Sequence, residues 1–438
     1  MYKSPSVNFP DLLLSLSDAL DLASPELSLH QMRTAFIAWE ISRAANLHQM
    51  RTAFIAWEIS RAANLPSGLI KQLFIAALFH DVGALTPEEK LSIHRNEVEN
   101  VEPHCIFGEA FISHVPMFEP SAKIVRWHHK PWQEYEQTSD DSLIFASQIL
   151  YLADSVERLL DSNRYILLQG LDILSTISGW SSTLIHPQVV DIFKSVAARE
   201  DFWLDLVSPR LYSLLLHNGP YRNKVLPITD LMPISEMFRN LIDFRSPFTG
   251  THSSGVSATA SSIAHFLGLT KTDIELMEVA GNLHDLGKMA VSNNIIDKPN
   301  KLTSDEFAII RQHPYLTYSI LSSIGGMRQI AESAAFHHEK LDGSGYPFHI
   351  DASQIDTGPR IIAVADIFTA MTENRPYRNT RPKSDILSVL NGLSSKNLLD
   401  KHVVGVLESN YDEIIASTVL KQNEARESYL RQFQLDKN

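Results

Sequence analysis

Seven histidine and aspartate positions occur twice along this 438-residue chain, in the same order and with two intervals preserved. His48 stands as far before His80-Asp81 as His252 stands before His284-Asp285, 32 residues in each case. His104 precedes His128-His129, and His313 precedes His337-His338, by a shared interval of 24 residues. Ala153-Asp154 is echoed by Ala365-Asp366, each inside an apolar helical run. Two homologous domains explain this order better than coincidence. The first interval also selects His48, not His30, as the equivalent position. A second repeat is exact: residues 29–46 recur unchanged as 47–64. Eighteen residues at about 100° each make about five helical turns, so the duplication keeps an apolar face in phase.

The patterning predicts an all-α chain of two tandem helical domains. Apolar residues recur at helical spacing over Ser261–Leu267, Ile274–Leu283, Asp305–Gln312 and Ile361–Met371, with little strand-like alternation. Thr270, Thr272 and Ser304 stand where helix N-caps are expected. Pro, Gly and Asn punctuate the stretch 208–233, including Asn218-Gly219-Pro220, which reads as a connection. The expected organisation is a first domain over 1–207, a linker over 208–233, and a second domain over 234–438 entered by a helix from Ile234 to Phe244.

A net charge of −13 argues against a partner such as a nucleic-acid polymer, which needs a basic face. It leaves room for a small anionic ligand whose field is set by bound metals and a few cations. Cys105 is the single cysteine, which rules out an intramolecular disulfide, equally excludes thiolate metal sites and fits a reducing compartment. No run reaches the roughly 20 apolar residues that span a bilayer, and Met1-Tyr2-Lys3-Ser4-Pro5 lacks a signal-peptide core. A cytoplasmic location without membrane attachment is expected, and a homodimer is left open.

His284-Asp285 gains its weight from the residues around it. Imidazoles and carboxylates without thiolate suit borderline first-row metals: Fe or Mn, with Ni or Zn as alternatives. Asp285 has two oxygens and can bridge two ions, one on His252, His284 and Asp366, the other on His313, His337 and His338. Such a pair lowers the pKa of a shared water and clamps a phosphoryl group. Lys288, one turn beyond His284, faces the same side and can neutralise phosphorane charge or protonate a leaving oxygen. Arg375 and Arg378 offer bidentate donors for a phosphate. Gly343-Ser344-Gly345-Tyr346-Pro347 is turn chemistry beside the histidine pair, with Tyr346 set either to stack on a base or to pack the loop.

His284-Asp285-Leu286-Gly287-Lys288 and the run His337 to Pro347 resemble the HD-GYP family of cyclic dinucleotide phosphodiesterases, within the HD superfamily. The resemblance covers residue 234 to the carboxy terminus. It implies an all-α fold around a bi- or trinuclear iron or manganese centre held by His252, His284, Asp285, His313, His337, His338 and Asp366. It implies opening of a 3′–5′ bond to give a linear 5′-phosphorylated dinucleotide. Trinuclear members carry an extra carboxylate where Phe248 stands here, which favours two metals. The tandem layout is similar to the subgroup acting on 3′,3′-cyclic GMP-AMP, which is favoured over cyclic di-GMP on that layout.

The first domain departs further, with Ala84 in place of the lysine and no Gly-Tyr-Pro loop after His128-His129. It reads as a structural or regulatory module, or as a second site on His48, His80, Asp81, His104, His128, His129 and Asp154. His48, His80, Asp81 and Asp154 form the ligand set of mononuclear HD-type 5′-nucleotidases, which would strip the terminal phosphate from the linear product. Two other readings of the chain are a catalytically silent cyclic-dinucleotide sensor and a general HD-type nucleotide phosphohydrolase. Complete ligands in the second domain count against the first, and the Gly-Tyr-Pro loop with its arginines against the second.

Overall fold

The computed structural model describes residues 6–21, 48–84, 89, 93, 100–135, 141–245, 250–298, 300–373 and 381–433. They divide into two compact units, Phe9–Lys224 and Val225–Asn438, the latter joined by the amino-terminal residues through Asn8. The first copy of the exact repeat, with His30, lies outside the described residues, as do Phe248, Arg375 and Arg378.

The first unit is helical. Its frame is α1 (Phe9–Asp21), α2 (His48–Ala62), α3 (Ser67–Phe79), α4 (Glu102–Ser113), α5 (Glu119–Arg126) and α6 (Asp141–Arg158). Further helices follow at α7 (Gly170–Gly179), α8 (Pro187–Ala197), α9 (Glu200–Leu206) and α10 (Leu211–Asn218). Phe54, Phe74, Phe79, Phe111, Phe118, Phe193 and Phe202 are fully or almost fully buried. Each such ring contributes about 1.5–3 kcal/mol relative to exposure, so their burial helps hold α2, α3, α4, α8 and α9 on a common core.

The second unit repeats the plan. A two-residue strand β1 (Val7–Asn8) pairs antiparallel with β2 (Val225–Leu226), Val7 opposite Leu226. Then come α11 (Ile228–Phe244), α12 (His252–Phe266), α13 (Lys271–Leu283), α14 (Ser304–Ile310), α15 (His313–Ser322), α16 (Arg328–Ala335) and α17 (Thr357–Thr372). The unit closes with α18 (Lys383–Ser395), α19 (Lys401–Ser409) and α20 (Tyr411–Phe433). Helices α2 and α12 are each 15 residues long and begin on a histidine. Helices α3 and α13 are each 13 residues long and stop immediately before His-Asp.

Helix boundaries follow local chemistry, with some shifts from the expected places. Thr270 caps α13 by accepting from the Asp273 N–H at 3.2 Å. Thr272 lies inside that helix. Thr303, one residue before Ser304, caps α14 in a capping box with Glu306. The stretch 208–233 holds α10, β2 and the start of α11, and Pro233 sits inside α11. Pro233 removes one backbone donor, while Leu231, Ile234, Met237, Phe238 and Leu241 bury their side chains on the same helix.

Helices α12 and α13 approach closely at Gly281, where an added Cβ would stand 2.6 Å from Ser257 Cα. Gly281→Ala should destabilise the second unit by about 1–3 kcal/mol through overpacking. Gly405→Ala in α19, where a Cβ meets nothing within 4 Å, should stabilise it by about 0.5–1 kcal/mol. Thermal melts of the two variants check both signs.

Candidate metal centre

The histidines of the second unit are aimed by their own backbone. His284 is the C-cap of α13, and its Nδ1 donates to the Gly281 carbonyl at 2.8 Å. His313 Nδ1 donates to Ile310 O at 2.7 Å, and His337 Nδ1 to Ala334 O at 2.6 Å. Each bond fixes the tautomer and turns Nε2 outward as the ligand atom. His252 is oriented differently: its Nδ1 lies 3.3 Å from a Glu373 oxygen, and Gln422 donates to the other oxygen at 3.1 Å.

These rings converge in three overlapping sets: His252, His284 and Asp366; His284, Asp285 and His337; and His313, His337 and His338. Asp285 stands at their junction. Its Oδ2 lies 3.2 Å from His284 Nε2 and its Oδ1 3.3 Å from His313 Nε2. Asp366 Oδ1 is 3.2 Å from His252 Nε2, and His313 Nε2 is 3.3 Å from His337 Nε2. Ligands about 2.0–2.1 Å from a tetrahedral ion stand about 3.3 Å apart, so the spacing fits ions at the centres. His284 Nε2 and Asp285 Oδ1 are buried without a hydrogen-bond partner, a costly state that a cation would relieve. All seven residues expected in this centre are therefore brought together.

Charge is arranged to match. Burial, the largest influence on Asp285, pushes its carboxyl up, but the His284 imidazole and the Lys288 ammonium hold it well below the usual range. For Asp366, burial is likewise outweighed, by its hydrogen bond and attraction to His252. Burial and the neighbouring His338 keep His337 neutral, and burial lowers His338 to about 3. Against burial, Glu373 and Asp366 push His252 up to about 10. Lys288 Nζ sits 2.6 Å from Asp285 Oδ2. The short turn that carries Lys288 is clamped by Arg245, whose guanidinium donates to the carbonyls of Lys288, Met289 and Val291 at 2.8–3.0 Å.

The glycine loop is tied to the histidine pair. Glu339 Oε1 accepts from the Phe348 N–H at 2.7 Å, and a Cβ on Gly345 would meet Glu339 Cα at 2.3 Å. The Tyr346 ring packs on His338 at 4.9 Å, and the Arg311 guanidinium lies over the same ring at 4.6 Å. Tyr346 thus packs the loop here, and a base could stack on the Arg311 side only by displacing that cation.

The first unit builds a related centre. His48 Nε2 lies 3.4 Å from His80 Nε2 and 3.5 Å from both Asp81 Oδ2 and Asp154 Oδ1. His80 Nε2 is 3.4 Å from Asp81 Oδ2 and 3.5 Å from Asp154 Oδ1. His80 Nδ1 donates to Ala77 O and His128 Nδ1 to Val125 O, as in the second unit. His104 and His128 approach at 3.3 Å between Nε2 atoms. His129 packs against both rings, but its Nε2 is buried without a partner. Cys105 takes a place the sequence reading denied it, with Sγ 3.6 Å from His128 Nδ1 and 3.9 Å from His104 Nε2. A lone cysteine cannot build a multi-thiolate site, but it can supply one ligand beside histidines.

A profile described as HD domain matches residues 236–403, and another with the same description matches 47–159. The chain carries two HD domains. Both HD domains gather His and Asp residues that could hold metal ions, and the second adds the Gly-Tyr-Pro loop. The chain is 29% identical over 349 residues to "3'3'-cGAMP-specific phosphodiesterase 1" of Vibrio cholerae, covering 77% of this chain and 81% of that protein. It is 33% identical over 221 residues to "3'3'-cGAMP-specific phosphodiesterase 3" of the same organism, covering 50% and 48% respectively. A "Cyclic di-GMP phosphodiesterase" of Thermotoga maritima is 36% identical over 168 residues, 38% of this chain and 46% of that one. A solved cyclic GMP-AMP phosphodiesterase of V. cholerae shares the fold, with a TM-score of 0.60 at 22% identity, over 93% of this chain and 98% of that one.

Four contributors escaped the sequence reading: Glu373 and Arg245 in the second HD domain, Glu157 and Arg158 in the first. Glu157 pairs with His48 Nδ1, and Arg158 with Asp154. A signal for the two glutamates existed. Glu157 is three residues after Asp154 and Glu373 seven after Asp366, positions that share a helix face with the aspartate.

His252 also sets a pH dependence. Its folded value lies above the ordinary 6.5, so its contribution to the metal-free fold is complete below pH 6.5 and is lost as pH rises through about 10. Thermal melts of metal-free protein from pH 6.5 to 10 should show the second domain losing stability. Glu373→Gln should flatten that slope; an identical slope would show that Glu373 does not hold the proton.

Proposed function

We propose that the chain is a metal-dependent cyclic dinucleotide phosphodiesterase of the HD-GYP type, with its bond-opening site in the second HD domain. The observation that carries this is the Asp285 carboxylate, whose two oxygens face different imidazoles, His284 at 3.2 Å and His313 at 3.3 Å, beside a loop held by Glu339. The residues to hold one ion are His252, His284, Asp285 and Asp366; those for the other are His313, His337, His338 and Asp285. Iron or manganese suits this sulfur-free set. Two such ions, when bound, supply an activated water and neutralise charge on the phosphoryl group.

The chain's own groups then do the positioning. Lys288, 2.6 Å from Asp285 and with its side chain 27% exposed, can swing its ammonium to the leaving oxygen and deliver a proton there. Arg245 keeps the Lys288 turn in place. Arg375 and Arg378 are proposed, from the sequence, as hydrogen-bond donors to a substrate phosphate. 3′,3′-Cyclic GMP-AMP is the proposed preferred substrate, supported by the tandem layout and by the relative that spans both domains. No helix among the described residues is long and apolar enough to cross a membrane, in keeping with the proposed cytoplasmic site of action.

A second activity is proposed for the first HD domain, removal of the 5′-phosphate from the linear product. It is favoured by the close set His48, His80, Asp81 and Asp154, with the Arg158 cation paired to Asp154 as a ready partner for a phosphate dianion.

Asp285→Asn should lower opening of cyclic GMP-AMP by more than the roughly 10–100-fold typical of losing an outer-shell partner. Turnover measured side by side on cyclic GMP-AMP, cyclic di-GMP and cyclic di-AMP gives the base preference. Absence of turnover of all three in metal-loaded protein would put the sensor reading in its place. Asp81→Asn should leave ring opening intact and let the linear 5′-phosphorylated product accumulate. Unchanged dephosphorylation in that variant would sink the second activity.

A further inference from the structure

The two HD domains differ in one donor atom. In the second, the residue after His313 is Pro314; in the first, the residue after His104 is Cys105. Cys105 is 3% exposed, His104 1% and His128 fully buried. One donor atom from each of the three lies within 4.8 Å of the other two. The second domain's equivalent cluster is completed by His338 instead. In the first domain His129, the counterpart of His338, stays outside the cluster, and its buried Nε2 has no partner.

We propose that His104, Cys105 and His128 form a mixed sulfur–nitrogen site for a divalent cation of zinc-like character, with Asp81 as its link to the neighbouring His48, His80 and Asp154 set. The spacing supports it. Tetrahedral coordination with Zn–N of about 2.0 Å and Zn–S of about 2.3 Å places two nitrogens about 3.3 Å apart and nitrogen and sulfur about 3.5 Å apart. His104 and His128 stand 3.3 Å apart at their Nε2 atoms, and Cys105 Sγ is 3.9 Å from His104 Nε2 and 3.6 Å from His128 Nδ1, so closure on an ion needs the thiol to turn toward the two Nε2 atoms. Asp81 Oδ1, 4.0 Å from His104 Nε2, is in reach as a fourth ligand. Binding exchanges the thiol proton for the cation: the S–H bond breaks, a sulfur–metal bond forms, and the proton leaves to solvent. A thiolate biases the site toward soft and borderline ions, so one chain carries two centres of different metal preference.

Because the chain has a single cysteine, any thiolate–metal signal belongs to Cys105. Metal-depleted full-length protein is titrated with Co²⁺ and followed in the near ultraviolet for sulfur-to-cobalt charge transfer. Zinc-loaded wild-type protein is measured in parallel by X-ray absorption, which requires no variant. The expected result is a charge-transfer band that Cys105→Ser abolishes, and a sulfur neighbour about 2.3 Å from zinc. Cyclic dinucleotide opening should be unchanged in Cys105→Ser, since that residue lies outside the second domain's centre; this separates failure here from failure of the phosphodiesterase reading. Identical cobalt spectra for wild type and variant, with only nitrogen and oxygen around zinc, would overturn the proposal.

Discussion

The architecture of both centres depends on one small hydrogen bond, from a histidine Nδ1 to the carbonyl three residues earlier. It occurs at His80, His128, His284, His313 and His337. Carbonyls at a helix end lack intrahelical donors, so the imidazole satisfies one and in return loses its rotational freedom. The opposite nitrogen is then presented along a direction set by the helix, and ligand geometry becomes a property of helix packing. That is why the close approach of α12 on α13 at Gly281 matters to the centre: the same glycine carries the carbonyl that holds His284.

Charge is the second constraint. Each centre gathers carboxylates and imidazoles into a volume without bulk water, and each holds its leading histidine against an extra glutamate, Glu157 or Glu373. In the metal-free chain His48 and His252 are both pushed up to about 10, against the opposing effect of burial. The proton on each ring acts as a stand-in cation. Loading is then an exchange of charge that the fold tolerates in either state.

The repeated helix frame and the seven-residue ligand set were legible in the sequence because ligand type and interval are one-dimensional properties. The two preserved intervals correspond to a helix pair of conserved length and a helix-to-helix return. Arg245 was not legible, since its role comes from three-dimensional proximity with no interval to mark it. Thr303 displaced Ser304 as cap because only Thr303 has Glu306 three residues on to complete the box. Cys105 was misjudged for a related reason. Counting cysteines finds sites made of cysteine alone, whereas this thiol, next to His104 in the chain, meets His128 only after folding.

Apart from the aspartates on α6 and α17, the ligands stand at or beside helix termini, and the connectors between them differ in length. The path from His80 to His104 is shorter than its counterpart from His284 to His313, and His129 to Asp154 is shorter than His338 to Asp366. A connector joined at a helix end can lengthen without turning the helix, so the frame accepts new segments while its metal geometry stays put. The glycine-rich loop occupies one of these connectors. The domain can therefore be viewed as a fixed socket with exchangeable faceplates, in which new substrate ranges arise by editing loops while the helices stay unchanged.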